Sequence, residues 1–125
     1  MKELTRAEEQ IMQILWKLEK GFVNDILENF PEPKPAYNTV STIIRILEKK
    51  GFAGHLSFGK THQYYPLVSK EEYARVNLGG LLENYFSNSY KQLVSFFTQN
   101  ERLSVRDLEE LKKIMEQEIA KQKKR

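Results

Sequence analysis

The stretch Tyr37-Asn38-Thr39-Val40-Ser41-Thr42-Ile43-Ile44-Arg45-Ile46-Leu47-Glu48-Lys49-Lys50-Gly51 carries two patterns at once. Val40, Ile43, Ile44 and Leu47 recur at helical spacing and predict a buried stripe on a helix over 37–50. Asn38, Ser41, Thr42, Arg45 and Lys49 recur every three or four residues along the other side. Each of these can donate a hydrogen bond, and none is bulky and apolar. Gly51 is a natural helix stop. Lys49 and Lys50 suit the negative end of the helix dipole just before it. A merely solvated helix face is usually richer in glutamate than this one, which holds only Glu48.

Upstream, Phe30-Pro31-Glu32-Pro33-Lys34-Pro35 cannot be helical, because proline removes donors and restricts the residue before it. Before that run, Val23, Ile26, Leu27 and Phe30 predict a short helix. The chain opens with another: Thr5 and Glu8 form a T-x-x-E capping box, and Ile11, Met12, Leu15 and Trp16 share one face. Gly21 is expected to supply its left-handed stop, and a very short strand could lie near 21–23. Downstream, Phe52 to Phe58 and His62 to Leu67 predict a hairpin, with Gly59-Lys60-Thr61 as the turn.

The remainder is helical in pattern. Ser69 and Glu72 suggest a capping box. A long apolar series follows from Tyr73 to Phe97, with a bend expected at Gly79-Gly80 because paired glycines disfavour a helix interior. Thr98 to Arg102 reads as a turn, and Ser104 with Asp107 caps a last helix bearing Leu108, Leu111, Ile114, Met115 and Ile119. The fold class is therefore mainly α: a winged helix-turn-helix domain over 1–68, of three helices and a β-hairpin wing, followed by a two-helix dimerisation region over 69–125.

Composition narrows the function. No apolar run approaches the roughly 18 residues that a membrane span needs, and no secretory signal is expected. The chain has no cysteine, which removes thiolate metal sites and a cysteine nucleophile and fits a cytoplasmic setting. A net charge of +3 permits a nucleic-acid partner without demanding one. Its distribution says more: Lys34, Arg45, Lys49, Lys50 and Lys60 face Glu48 alone between Lys34 and His62. A second basic cluster, from Lys121 to Arg125, reads as a solvated helix end. His55 and His62 lack H-E-x-x-H spacing, and nucleophile triads, P-loops and dinucleotide turns are absent. No enzyme activity, metal or cofactor is expected.

Helix-turn-helix modules put the second helix of a pair in the major groove. In that role Arg45 could bind a guanine edge bidentately and Asn38 an adenine edge. Ser41 and Thr42 are short enough for close backbone approach, and Tyr37 and Thr39 complete the helix start. Lys34, Lys49 and Lys60 would neutralise phosphates, with Thr61 and His62 beside them on the wing. Leu82, Tyr85, Phe86, Tyr90, Leu93, Leu108, Leu111 and Met115 would leave apolar surface bare on a monomer, and a symmetric dimer covers it most simply. The competing class is a winged-helix adaptor that binds proteins through exposed aromatics.

These residues resemble the BlaI/MecI/CopY group of winged-helix repressors. Leu4-Thr5-Arg6-Ala7-Glu8, with Ile11-Met12 and Leu15-Trp16, is similar to that family's opening helix. Tyr37 to Arg45 and Leu47-Glu48-Lys49-Lys50-Gly51 are similar to its recognition helix, and Tyr64-Tyr65-Pro66-Leu67 to its second wing strand. The resemblance implies a homodimer that represses by occupying a pseudo-palindromic operator. In the antibiotic-responsive members it further implies release through a membrane-bound sensor metalloprotease and cleavage in the C-terminal region. The corresponding stretch is Leu93 to Thr98. Members often show Asn-Phe at the cut, where this chain has Phe96-Phe97. The copper-responsive members carry a cysteine cluster, and its lack here argues against thiolate copper sensing.

Overall fold

The computed structural model describes residues 3–125. The order is α1 (Arg6–Leu18), α2 (Val23–Glu28), α3 (Tyr37–Lys49), β1 (Ala53–Phe58), β2 (Thr61–Pro66), α4 (Lys70–Tyr85), α5 (Tyr90–Asn100) and α6 (Val105–Lys123). The chain forms two compact units that divide between Gly79 and Gly80. Three helices followed by an antiparallel hairpin, then further helices, is the expected winged-helix class.

α1 starts as its sequence dictates. Glu8 N–H donates to Thr5 Oγ1 at 3.2 Å and Thr5 N–H to Glu8 Oε1 at 2.8 Å, closing the capping box. Its end differs from expectation. The left-handed residue is Glu19, with φ 70°, and its N–H bonds Leu15 O at 2.8 Å. Gly21 instead makes an isolated β-bridge to Tyr64, its N–H and C=O bonding that residue at 2.9 and 2.8 Å. The short strand suspected near 21–23 is this single bridge. It demands extended backbone from Gly21, so the helix must stop two residues earlier.

In α3, Val40, Ile44 and Leu47 have no exposed surface. They pack with Ile11, Met12 and Leu15 of α1, Ile26 of α2 and Phe52 into one core. Burying each such side chain contributes about 1.5–3 kcal/mol relative to exposure. Gly51, at φ 85°, ends the helix as expected. Tyr73 of α4 joins the same core. Its ring meets Phe52 edge-on at 5.6 Å, and its hydroxyl accepts from Leu4 N–H at 2.9 Å. Trp16 donates from Nε1 to Val68 O at 2.8 Å.

Lys50 does more than face a dipole. Its ammonium lies 2.7 Å from the Glu8 carboxylate, tying the end of α3 to the start of α1. Burial pushes the Glu8 carboxyl up, but hydrogen bonds from Lys50 and Thr5 outweigh it and hold the group below its ordinary 4.5. A lowered folded-state value stabilises the protein above the unfolded-state value, and the contribution is lost as pH falls through the folded value. Lys50→Met is therefore expected to cost about 2–3 kcal/mol at neutral pH, from a buried acceptor losing a charged donor. In urea unfolding, its deficit against wild type should shrink below about pH 4, where carboxylates protonate.

The hairpin pairs Phe58 with Thr61, so its turn is the two residues Gly59-Lys60 and Thr61 belongs to β2. Gly59 has φ 64° and Lys60 does not share that region, the pattern that places glycine first in a II′ turn. Phe52 precedes the strand rather than starting it.

The C-terminal helices also depart from the expected division. α4 runs unbroken through Gly79-Gly80. The break comes at Ser87 and Asn88, with φ 50° and 59°, so the long series splits into α4 and α5 and the region holds three helices rather than two. α5 continues to Asn100, leaving the turn to Glu101–Leu103. Ser104 and Asp107 cap α6 reciprocally at 3.1 Å in each direction. Ser69 accepts from Glu72 N–H at 3.0 Å.

Candidate nucleic-acid interface

α3 is fixed by its core stripe, so the face opposite is presented outward without further support. Tyr37, Asn38, Thr42, Arg45 and Lys49 are exposed, and Ser41 is half-buried. Arg45 Nη2 donates to Ser41 Oγ at 2.9 Å, one turn back, which holds the guanidinium along the helix. A groove of about 720 Å³ lies beside this face, closed on its far side by the wing. It gathers Tyr37, Asn38, Ser41 and Arg45 of α3 with Lys60, Thr61 and His62 of the hairpin. Seven of the expected contact residues therefore line one concavity.

The other four lie outside it. Thr42 and Lys49 are exposed on the stripe they share with Asn38 and Arg45, further round the helix from the wing. Lys34 is exposed in the proline-rich approach. Thr39 lines a different, smaller cavity of about 220 Å³ with Ala7, Phe30, Pro33 and Pro35.

The groove also holds Phe22, Asn24, Asp25, Glu48 and Tyr64, which sequence reasoning did not assign to it. The first three stand at the start of α2, where Asp25 accepts from Phe22 N–H at 2.9 Å. The F-x-x-D spacing was a usable signal, since Asp at the third helical position is half of a capping box. Tyr64, whose backbone bridges Gly21, is buried, and burial, with Glu48 nearby, pushes its hydroxyl up.

The wing is held against the helices at three points. Phe58 meets Phe22 edge-on at 5.8 Å. Tyr64 bridges Gly21. Glu48 bonds His55 Nδ1. Lys60, at the tip of this anchored hairpin, makes no ion pair among the described residues. Electrostatically the groove mixes Arg45, Lys60 and His62 with Asp25 and Glu48, and both carboxylates are engaged within the protein.

The second unit is thinly packed. Past Gly79, Leu82 is the one buried hydrophobic residue among the described residues. Phe86 is half-buried and meets Phe96 edge-on at 5.4 Å. Of the other residues expected at a dimer contact, Tyr85, Tyr90, Leu108 and Met115 are exposed, and Leu93 and Leu111 are half-buried. Ile114 and Ile119, exposed on α6, add to this surface. Phe96 is 51% exposed on α5, and Phe97 is half-buried beside it. No helix among the described residues is long and apolar enough to cross a membrane.

Comparison with known proteins bears on this arrangement. A family model described as penicillinase repressor matches residues 4–117. The chain is 30% identical over 114 residues to the methicillin resistance regulatory protein MecI of Staphylococcus aureus strain N315, covering 90% of this chain and 93% of that protein. It is 24% identical over 116 residues to the penicillinase repressor of Bacillus licheniformis, covering 92% and 91%. Against the penicillinase repressor of Staphylococcus aureus it is 25% identical over 114 residues, covering 90% of each.

Proposed function

The chain belongs to the penicillinase repressor family, and on that premise we propose that it is a transcriptional repressor binding an operator in duplex DNA as a homodimer. Residues 1–68 bind the DNA and residues 69–125 pair two copies. The observation that carries this reading is the groove in which Asn38, Ser41 and Arg45 of one helix converge with Lys60, Thr61 and His62 of the wing. α3 enters the major groove. Arg45 and Asn38 read base edges, and Lys34, Lys49 and Lys60 neutralise phosphates.

The thin packing after Gly79 supports pairing. An apolar surface of this kind is unusual on a stable monomer and is covered by a second copy in an isologous contact. Release from DNA is by cleavage near Phe96-Phe97, and the partner for that step is a membrane-bound sensor metalloprotease. Both residues lie inside α5, so cutting there requires that helix to open locally.

A dimer with two reading helices fixes its half-site spacing. Fluorescence anisotropy on a pseudo-palindromic duplex should show tight binding that weakens at least about tenfold when roughly 5 base pairs, half a helical turn, are inserted between half-sites. Binding indifferent to that insertion would contradict the dimeric reading. Leu56 and Phe58, exposed on the wing, favour a second reading, a protein-binding adaptor. That reading expects no affinity for any duplex.

A further inference from the structure

The pairing register places His55, Ser57, His62 and Tyr64 on one face of the hairpin, with His55 diagonal to His62. Their rings are stacked at 4.0 Å, 2° from parallel. His55 Nδ1 bonds the carboxylate of Glu48 on α3. A carboxylate can only accept, so Nδ1 carries the hydrogen and its N–H donates. His62, at the other end of the stack, lines the groove beside Lys60 and Arg45. A continuous chain of contacts thus runs from the recognition helix through one imidazole to a second that faces the DNA-binding groove.

Resting on the DNA-binding reading above, we propose that Glu48 and His55 are positioning residues that hold the His62 imidazole at the groove, where it takes up a proton as a DNA phosphate arrives. Histidine is the side chain whose charge changes between about pH 5 and 8. An anion brought against an imidazole favours its charged form. The other charged and titratable groups lining the groove with His62 are Tyr37, Arg45 and Glu48 of α3, Asp25 of α2, Lys60 of the turn and Tyr64 of β2, whose ring also lies near both imidazoles. Asp25 is engaged with Phe22 N–H and Glu48 with His55, so the incoming phosphate meets Arg45, Lys60 and His62.

The test is anisotropy of the full chain with a 30-base-pair duplex, recovered by selection from random sequence, from pH 5.5 to 8.5 at fixed ionic strength. Wild type is expected to tighten about tenfold between pH 8 and pH 6, an average uptake of about half a proton over that interval. His62→Gln should lose the rise at low pH, its affinity at pH 6 staying within about twofold of its own affinity at pH 8. Glu48→Gln and His55→Gln should flatten the profile as well, and the double variant should be no flatter or weaker than either single one. A flat wild-type profile overturns the proposal while leaving DNA binding intact, as does a wild-type-like slope in Glu48→Gln or His55→Gln. If either of those variants fails to fold by circular dichroism, His62→Gln decides: a retained slope overturns the proposal and a lost one supports it. Absence of any DNA binding by wild type sinks the repressor reading itself.

Discussion

Replacing Arg45 with alanine is expected to cost about 1–3 kcal/mol of discrimination at one or two base pairs of each half-site, roughly 5–150-fold. The loss should be confined to those positions, because a guanidinium reads two acceptors on one guanine edge and nothing else in the helix reproduces that fork. Arg45 is exposed and its one bond within the protein is to Ser41, so removing it should leave the fold intact. Lys60→Ala provides the contrast. Its cation sits at the hairpin tip beside no base-reading residue of its own strand, so all sequences should weaken alike. The slope of log affinity against log salt should fall by about 1 for each reading head. Anisotropy on a panel of singly substituted duplexes at two salt concentrations separates the two behaviours. Identical profiles for the two variants would dissolve the division into base reader and phosphate clamp.

The second large effect is expected in the pairing region. Leu108→Glu combined with Met115→Glu puts two charges on the apolar stripe of α6, at residues already exposed in the single chain. Neither side chain belongs to a buried core, so the single chain loses little packing. A dimer contact, by contrast, would have to bury both charges unpaired, which costs several kcal/mol. The variant should sediment as a monomer. Its operator affinity should fall by about 10²–10⁴-fold, the advantage that two linked heads have over one. The surface ion pairs Arg106–Glu110 and Lys112–Glu116 on the same helix are highly exposed and should not offset this. A variant that remains dimeric, with unchanged operator affinity, would place the pairing surface elsewhere.

The first three helices and the hairpin were legible because each carries its own local signal. Thr5 and Glu8 announce α1, the prolines bracket α3, and the spacing of Val40, Ile44 and Leu47 marks the face that the structure buries completely. Gly21 was misread because a helix stop and a β-bridge both favour glycine, and only the fold brings Tyr64 opposite it. The break at Ser87-Asn88 was missed for the complementary reason. Asn tolerates left-handed backbone, but nothing local distinguishes it from the glycine pair that α4 absorbs. In the groove, the residues of α3 and the wing could be read from residue type. Phe22, Asp25 and Glu48 could not, since their place there follows from how α2 and the hairpin close around α3. Glu48 was visible as the lone acid in a basic stretch. Its engagement with His55 required the hairpin to fold back on the helix.

If α3 reads DNA and two copies do so together, the sequences the protein prefers must carry a two-fold repeat. Selecting bound sequences from a random duplex library with the full chain reads that out. The selected duplexes should converge on an inverted repeat, with half-site centres separated by about 10–10.5 base pairs or a multiple of that. Repeating the selection with Arg45→Ala should lose the preferred base at one or two symmetric positions and keep the spacing. Recovery of no common sequence, or of a single unrepeated motif indifferent to Arg45, would contradict the claim.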